Sequence, residues 1–259
     1  VTIEIDVIIP CFNRASTIER AMKSVLKQTY PQFQLYVVDD GSTDDTESMI
    51  SPYLSDKRVH YLKQENKGVS AARNMGIKTS QNPWLSFLDS DDEWLPYKLE
   101  TQIKYLRLHP SIRFFHSNEI WIRNGVRVNP KAKFDKSNKN IFGRSLETCL
   151  ISPSTTLIQR SLLTQMNFFD ESFEICEDYD LWLKILATHE VGFIPEALAR
   201  KYGGHEDQLS LKYTAMDLWR IRSMLNLMQV IGISEEKVIL IEKEIKKKSE
   251  IMLAGLIKH

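Results

Sequence analysis

Residues 87–94 read FLDSDDEW. Three aspartates and one glutamate fall within five positions, directly after the apolar run Trp84–Leu88. Like charges this close repel, and one helix cap explains one or two carboxylates rather than four. The run before them reads as a strand. Pro96, after them, suits the first turn of a helix carrying Leu99, Ile103 and Leu106. The acids therefore stand where a strand gives way to a helix, which is the edge on which open parallel sheets bind ligands. Carboxylates gathered there suit a divalent cation with oxygen ligands. A calcium loop fits poorly, because its glycine turn position is occupied by Trp94.

The same alternation runs upstream. Val7–Ile9 is a short apolar run closed by Pro10. Ser16 and Glu19 have capping-box spacing ahead of a helix with Ile18, Ala21, Met22, Val25 and Leu26 on one side. Phe33–Val38 is a second strand that ends at Asp39-Asp40-Gly41, with Ser42 or Thr43 placed to cap the next helix. The Asp39-Asp40 pair before Gly-Ser-Thr also makes a good turn. Val59–Leu62 is a third strand, and Asn66-Lys67-Gly68 turns into a helix containing Ala71, Ala72 and Met75. Strands alternating with helices predict an α/β fold with a mostly parallel sheet and helices on both faces.

Past residue 110 the pattern changes. Phe114-Phe115 and Ile120–Ile122 read as strand. Residues 123–140 form a polar loop with six Lys/Arg against one Asp. Thr155–Ile158, Val191–Ile194 and Leu198–Tyr202 are further strand candidates, and Asp178–Thr188 reads as a helix. From Thr214 the chain reads as helix to its end, with a break near Gly232.

With 34 basic and 34 acidic residues among 259, no net field draws the chain to nucleic acid. Three widely spaced cysteines (Cys11, Cys149, Cys176) form neither a zinc pattern nor a disulfide framework, which predicts a reducing compartment. No leader and no apolar run of membrane-spanning length is visible. The expected location is the cytoplasm or the inner face of the membrane. The first strand is followed by PCFNRAS, not by the glycine pattern of a dinucleotide site, and no P-loop is present.

Four stretches carry a family resemblance. VIIPCFNRASTIERAMKSVLKQTYPQFQLYVVDDGSTDDT resembles the opening of inverting glycosyltransferase family 2, and NKGVSAARNMGI resembles its second block. FLDSDDEW resembles its metal-binding D-x-D element, and CEDYDLWLKI its acid–base segment. The resemblance implies a GT-A fold: a Rossmann-like, mostly parallel central sheet flanked by helices. It implies a nucleotide-sugar donor, most often a uridine diphosphate sugar, and Mn²⁺ or Mg²⁺. Carried over by position, Pro10 and Asn13 would line the nucleotide pocket, Asp40 would hydrogen-bond the base and Asp39 would support it. Arg73 would approach the base or phosphates. Asp89 would contact the ribose with Ser90 beside it, and Asp91 would ligate the metal. His205, in YGGHEDQLS, would be a further metal or phosphate contact. The implied base is Asp178, with Glu177 as the substitute candidate.

A single carboxylate suffices for that chemistry, because the acceptor hydroxyl can lose its proton as it attacks. Read without the resemblance, the acids of 170–180 could instead cap the following helix, and Asp180 could pair with Lys184. These readings divide the chain into a donor-binding half (1–110), an acceptor-binding and catalytic half (111–212) and a C-terminal helical extension (213–259). The extension has three open readings: packing back on the α/β domain, building a homodimer, or lying on a membrane that holds a glycan acceptor linked to lipid. Two rival functions stay open: a catalytically inactive nucleotide-sugar-binding module and a sugar nucleotidyltransferase.

Overall fold

The computed structural model describes residues 2–137, 139–204 and 216–257. Its first strand, β1 (Ile5–Cys11), is buried along its whole length. It pairs in parallel with β2 (Phe33–Asp39) on one side and with β4 (Trp84–Phe87) on the other, while β3 (Val59–Lys63) extends the sheet beyond β2. The strand order thus reverses at β1, and the crevice beyond its carboxyl end is the expected ligand edge. Pro10 costs little ladder bonding there. Ile8 accepts the Leu88 N–H on the β4 side, so Pro10, two residues on, faces that same side where β4 has already ended.

Helices α1 (Ile18–Leu26), α2 (Thr46–Ile50), α3 (Val69–Thr79) and α4 (Lys98–Leu108) link these strands or follow them. The capping box expected at Ser16 and Glu19 does not form. Thr17 holds the cap position without a side-chain bond, and Glu19 instead pairs with Lys23 and accepts the Tyr53 hydroxyl. Nor do Ser42 or Thr43 cap α2, which starts after Asp45. In α3, Gly76 permits close approach to the sheet: a Cβ there would stand 2.7 Å from Ile8 Cγ2.

The second half of the chain completes one mixed sheet in which parallel ladders carry most of the pairing. A two-residue strand β5 (Glu93–Trp94), a long β6 (Phe114–Arg123), β7 (Val126–Val128), β8 (Leu157–Gln159) and a long β9 (Gly192–Gly203) give the order β3-β2-β1-β4-β8-β6-β9-β5, with β7 on β6. The two strand fragments expected near 114–122 are one strand, as are the two near 191–202. Polar His116–Glu119 and the Pro195-Glu196 pair interrupt the apolar runs, and the pairing shifts register there, between Ser117 and Glu119. The basic stretch at 123–140 is not a plain loop. It forms the β6–β7 turn and a helical turn at Ala132–Phe134, and it returns Lys136 to a buried ion pair with Glu119 at 2.8 Å. Helices α5 (Ile141–Glu147) and α6 (Arg160–Gln165) follow, then α7 (Glu177–Thr188).

Two buried polar nodes hold the halves together. Asp6, fully buried on β1, accepts the Asn82 N–H and amide and pairs with Arg160 at 3.0 Å. Lys98, also fully buried, donates to Ser86 Oγ, Gln102 Oε1 and the Thr156 carbonyl and lies 3.9 Å from the Trp94 ring centroid. Gln102 and the Trp94 indole add bonds to the Thr155 and Ser154 carbonyls. Together they clamp the turn at 153–156 against β4.

Burial depresses the Lys98 pKa well below its ordinary 10.5. From the lowered value up to 10.5, the unfolded chain holds a proton that the folded chain lacks, so this lysine makes stability rise with pH. Urea unfolding between pH 7.5 and 9.5 should therefore show a more positive stability slope for the wild type than for Lys98→Met. Thiol ionisation works in the opposite sense but is common to both proteins. Equal slopes would mean that the folded Lys98 keeps its proton throughout.

The C-terminal segments form α8 (Met216–Leu227) and α9 (Glu235–Ile257), which pack back on α5 and α7. Met224, Leu227 and Ile241 are fully buried, and Lys248 reaches Asp217, Glu244 and the Glu147 carbonyl. Among the described residues, no helix is long and apolar enough to cross a membrane.

Candidate active site

Parallel register sets Cys11 beside Asp39 and Asp39 beside Lys63, so the ends of β1, β2 and β3 meet at one edge. Asn13, with left-handed φ 52°, ties the first two loops together. Its N–H donates to Ser42 Oγ at 2.9 Å, and its side-chain oxygen accepts the Thr43 N–H at 2.9 Å. Asp39 is fully buried and accepts the Ser42 N–H and the Tyr61 hydroxyl. Asp40 accepts the Gln64 side chain and the Lys67 and Gly68 N–H groups, which fixes the turn into α3. Phe12 stands beside this edge with 42% of its surface exposed, an aromatic that the sequence reading passed over.

Across the crevice, the guanidinium of Arg73 is 4% exposed and bridges Asp89 at 2.8 Å to Glu177 at 2.6 Å. It projects from α3, joins the carboxylate after β4 to the first residue of α7, and stacks near Phe169 at 5.1 Å. None of the four acids caps α4, whose cap position is Tyr97. Asp92 is buried. It accepts the Ser154 hydroxyl at 2.6 Å and the Tyr202 N–H at 3.0 Å. Ser154 in turn accepts the Asp89 N–H, and Glu93 is drawn to Arg200 and the Tyr202 hydroxyl. Ser90 is buried between Asp89 and Asp91.

The acids before α7 also separate by role. Asp170 holds Ser172, Glu171 accepts from Asn74, and Asp180 pairs with Lys184 at 2.5 Å as its spacing predicts. Cys176, at φ 64°, holds the cap position and makes no side-chain cap bond. Asp178 does not hold the cap position, and one of its oxygens remains for other work. Its Oδ1 accepts the adjoining Tyr179 N–H, its Oδ2 accepts a hydrogen bond from the Cys149 thiol at 3.4 Å, and it lines a cavity of about 220 Å³. Glu119, Trp121, Lys136, Cys149 and Lys201 share that lining. Burial works against a charge on Lys201, but Glu119, Asp92, Asp89 and Asp178 together raise its pKa well above the ordinary lysine range. Lys201, Glu119 and Cys149 carried no motif signal, since each is brought in by β6, β9 or the turn after α5. His205 lies outside the described residues.

The fit of a divalent cation rests on the carboxylates after β4. Burial raises the Asp92 pKa well above its ordinary value, and the charges of Asp91 and Asp89 raise it further. That crowding is what a cation relieves. Among the described residues, no group of three or more His, Cys, Asp or Glu side chains is arranged to hold an ion alone. Magnesium or manganese bound beside substrate phosphates needs only one or two protein carboxylates, and Asp91 beside Asp89 fits that smaller requirement.

The family described as Glycosyl transferase family 2 matches residues 6–164. The chain is a member of glycosyl transferase family 2. Among its relatives in family 2 is WfgD of Escherichia coli, a UDP-Glc:alpha-D-GlcNAc-diphosphoundecaprenol beta-1,3-glucosyltransferase. It is 37% identical over 191 residues, which cover 73% of this chain and 72% of that protein. An uncharacterized glycosyltransferase of Rickettsia felis is 34% identical over 203 residues, 76% of this chain but 32% of its own length. The chain thus spans about a third of that relative's length. Of solved structures, Staphylococcus aureus TarS 1-349 in complex with UDP-GlcNAc aligns with TM-score 0.77 at 21% identity, covering 95% of this chain and 72% of that one. The mannosyltransferase PcManGT from Pyrobaculum calidifontis, in complex with GDP-Man and Mn²⁺, aligns with TM-score 0.66 at 17% identity, covering 99% and 76%. These likenesses show the GT-A fold that the family 2 resemblance implies.

Proposed function

We propose that this family 2 member moves a sugar from a uridine diphosphate sugar to a hydroxyl of a lipid-linked glycan acceptor, by single displacement with inversion. The observation that carries the reading is the cavity against Asp178, joined to the donor edge through the Arg73 bridge from Asp89 to Glu177. The activity of WfgD and the UDP-GlcNAc complex of TarS support the donor and acceptor classes.

In this reading residues 1–110 hold the donor and 111–212 present the acceptor. Pro10, Asn13, Asp39 and Asp40 frame the base, and the exposed Phe12 ring offers it a stacking face. Asp89 and Ser90 meet the ribose. Asp91 would hold Mn²⁺ or Mg²⁺, and His205 is a further candidate contact. When bound, the ion neutralises charge on the leaving diphosphate. Lys201 adds a fixed positive charge where donor and acceptor meet. Asp178 takes the hydroxyl proton as the acceptor oxygen bonds to the anomeric carbon. The anomeric carbon–oxygen bond to the diphosphate breaks on the opposite face, and the nucleoside diphosphate departs. Glu177 does not act as the base, because its carboxylate is committed to Arg73.

The test is UDP release from a panel of UDP-sugars with Mn²⁺, with and without chelator. We expect slow hydrolysis of one donor, suppressed by chelation. Failure of every donor to release UDP would leave a binding module in place of a transferase. Release of pyrophosphate from UTP and a sugar phosphate would instead make it a nucleotidyltransferase.

A further inference from the structure

The Asp178 cavity is small. Its volume of about 220 Å³ lies below the roughly 300–1,000 Å³ of drug-sized pockets, so it suits a single ring rather than an extended glycan. One wall is aromatic: the rings of Trp121 and Phe134 meet with centroids 5.0 Å apart at 56°, and both line the cavity. The Trp121 ring is braced from behind. Its indole N–H donates to Glu119 at 2.8 Å, and Glu119 is paired with Lys136 at 2.8 Å, both side chains at most 5% exposed. A buried ion pair costs desolvation, and this one fixes the face of an aromatic ring.

Two exposed cations stand over the same pair of rings. The Arg123 guanidinium carbon is 5.7 Å from the Trp121 centroid, and the Lys133 ammonium is 5.0 Å from that of Phe134. No carboxylate is paired with either among the described residues. The Asp178 carboxylate and the Trp121–Phe134 wall share the lining with Arg123, and Lys133 stands outside it over the Phe134 ring.

We propose that this cavity is a subsite for an acceptor sugar carrying a diphosphate at its anomeric carbon. Trp121 and Phe134 stack the ring, and Arg123 and Lys133 contact the diphosphate. The assignment rests on the transferase reading above and adds the residues that select the acceptor.

The test is direct binding without donor, by calorimetry. The probes are N-acetylglucosamine α-diphosphate esterified to a short alkyl alcohol, the matching monophosphate ester and the neutral alkyl glycoside. We expect the diphosphate ester to bind at least tenfold more tightly than the neutral glycoside, with the margin shrinking as salt is raised. Arg123→Ala with Lys133→Ala should weaken the diphosphate ester about tenfold and leave the neutral glycoside within twofold. Trp121→Ala should weaken all three probes, and Trp121→Phe should restore most of the loss. Equal binding of the three probes, no binding of any, or a double variant that binds the diphosphate ester as the wild type does would overturn the subsite. Donor hydrolysis by the same preparations separates that outcome from failure of the transferase reading.

Discussion

Asp178→Asn should lower transfer by about 10²–10⁴-fold, the usual contribution of a positioned general base, while UDP binds as tightly as before. The replacement keeps shape and one hydrogen-bond acceptor but removes the basic oxygen. No neighbour can stand in. Glu177 is held by Arg73 at 2.6 Å, Asp180 by Lys184 at 2.5 Å, and Glu119 by Lys136 at 2.8 Å. Initial rates with saturating donor, together with calorimetric titration of UDP, check both halves of the expectation. Full transfer by the variant would remove Asp178 from the chemistry. Loss of UDP affinity would reveal a structural part in the donor site.

Arg73→Met should cost about 3–5 kcal/mol of stability, because truncating one member of a buried ion pair strands its partner's charge. The stranded groups are Glu177, whose side chain is 9% exposed, and Asp89, at 28%. Arg73→Met combined with Glu177→Gln should recover much of that loss, since removing both charges lifts the desolvation penalty. Urea denaturation of the three proteins measures it. A single variant within 1 kcal/mol of wild type would show that water reaches the pair and screens it. Activity should fall in both variants, because Asp89 loses the cation that orients it.

Much of the donor half was legible because its signals are local. Alternation of short apolar runs with helical periodicity placed β1 to β4 within a residue or two, and carboxylates after strands marked the binding edge. The readings that failed were those in which tertiary contacts overrode a local pattern. Ser16 and Glu19 had the spacing of a capping box, yet Tyr53 and Lys23 claimed the glutamate. The basic stretch at 123–140 looked like solvent-facing loop, but Glu119, seventeen residues before Lys136 and outside the stretch, drew that lysine into a buried pair. Long β9 read as two fragments because Pro195 and Glu196 interrupt its apolar pattern, where its pairing with β6 shifts register. The lining of the Asp178 cavity was hardest to see. Lys201, Cys149 and Glu119 are far apart in the chain, and only the sheet order brings β6 and β9 together beside α7.

The Arg73 bridge bears on any effort to build hybrids of family 2 proteins. A recombinant that takes its first half from this chain and its second from another parent inherits a buried cation with one counter-ion, Asp89, and needs the second from the other source. A parent without a carboxylate matching Glu177 would leave that cation with Asp89 alone, so the hybrid would lose stability before any new acceptor choice could be read. Parents are therefore best screened for this one cross-half match, or both positions exchanged as a unit.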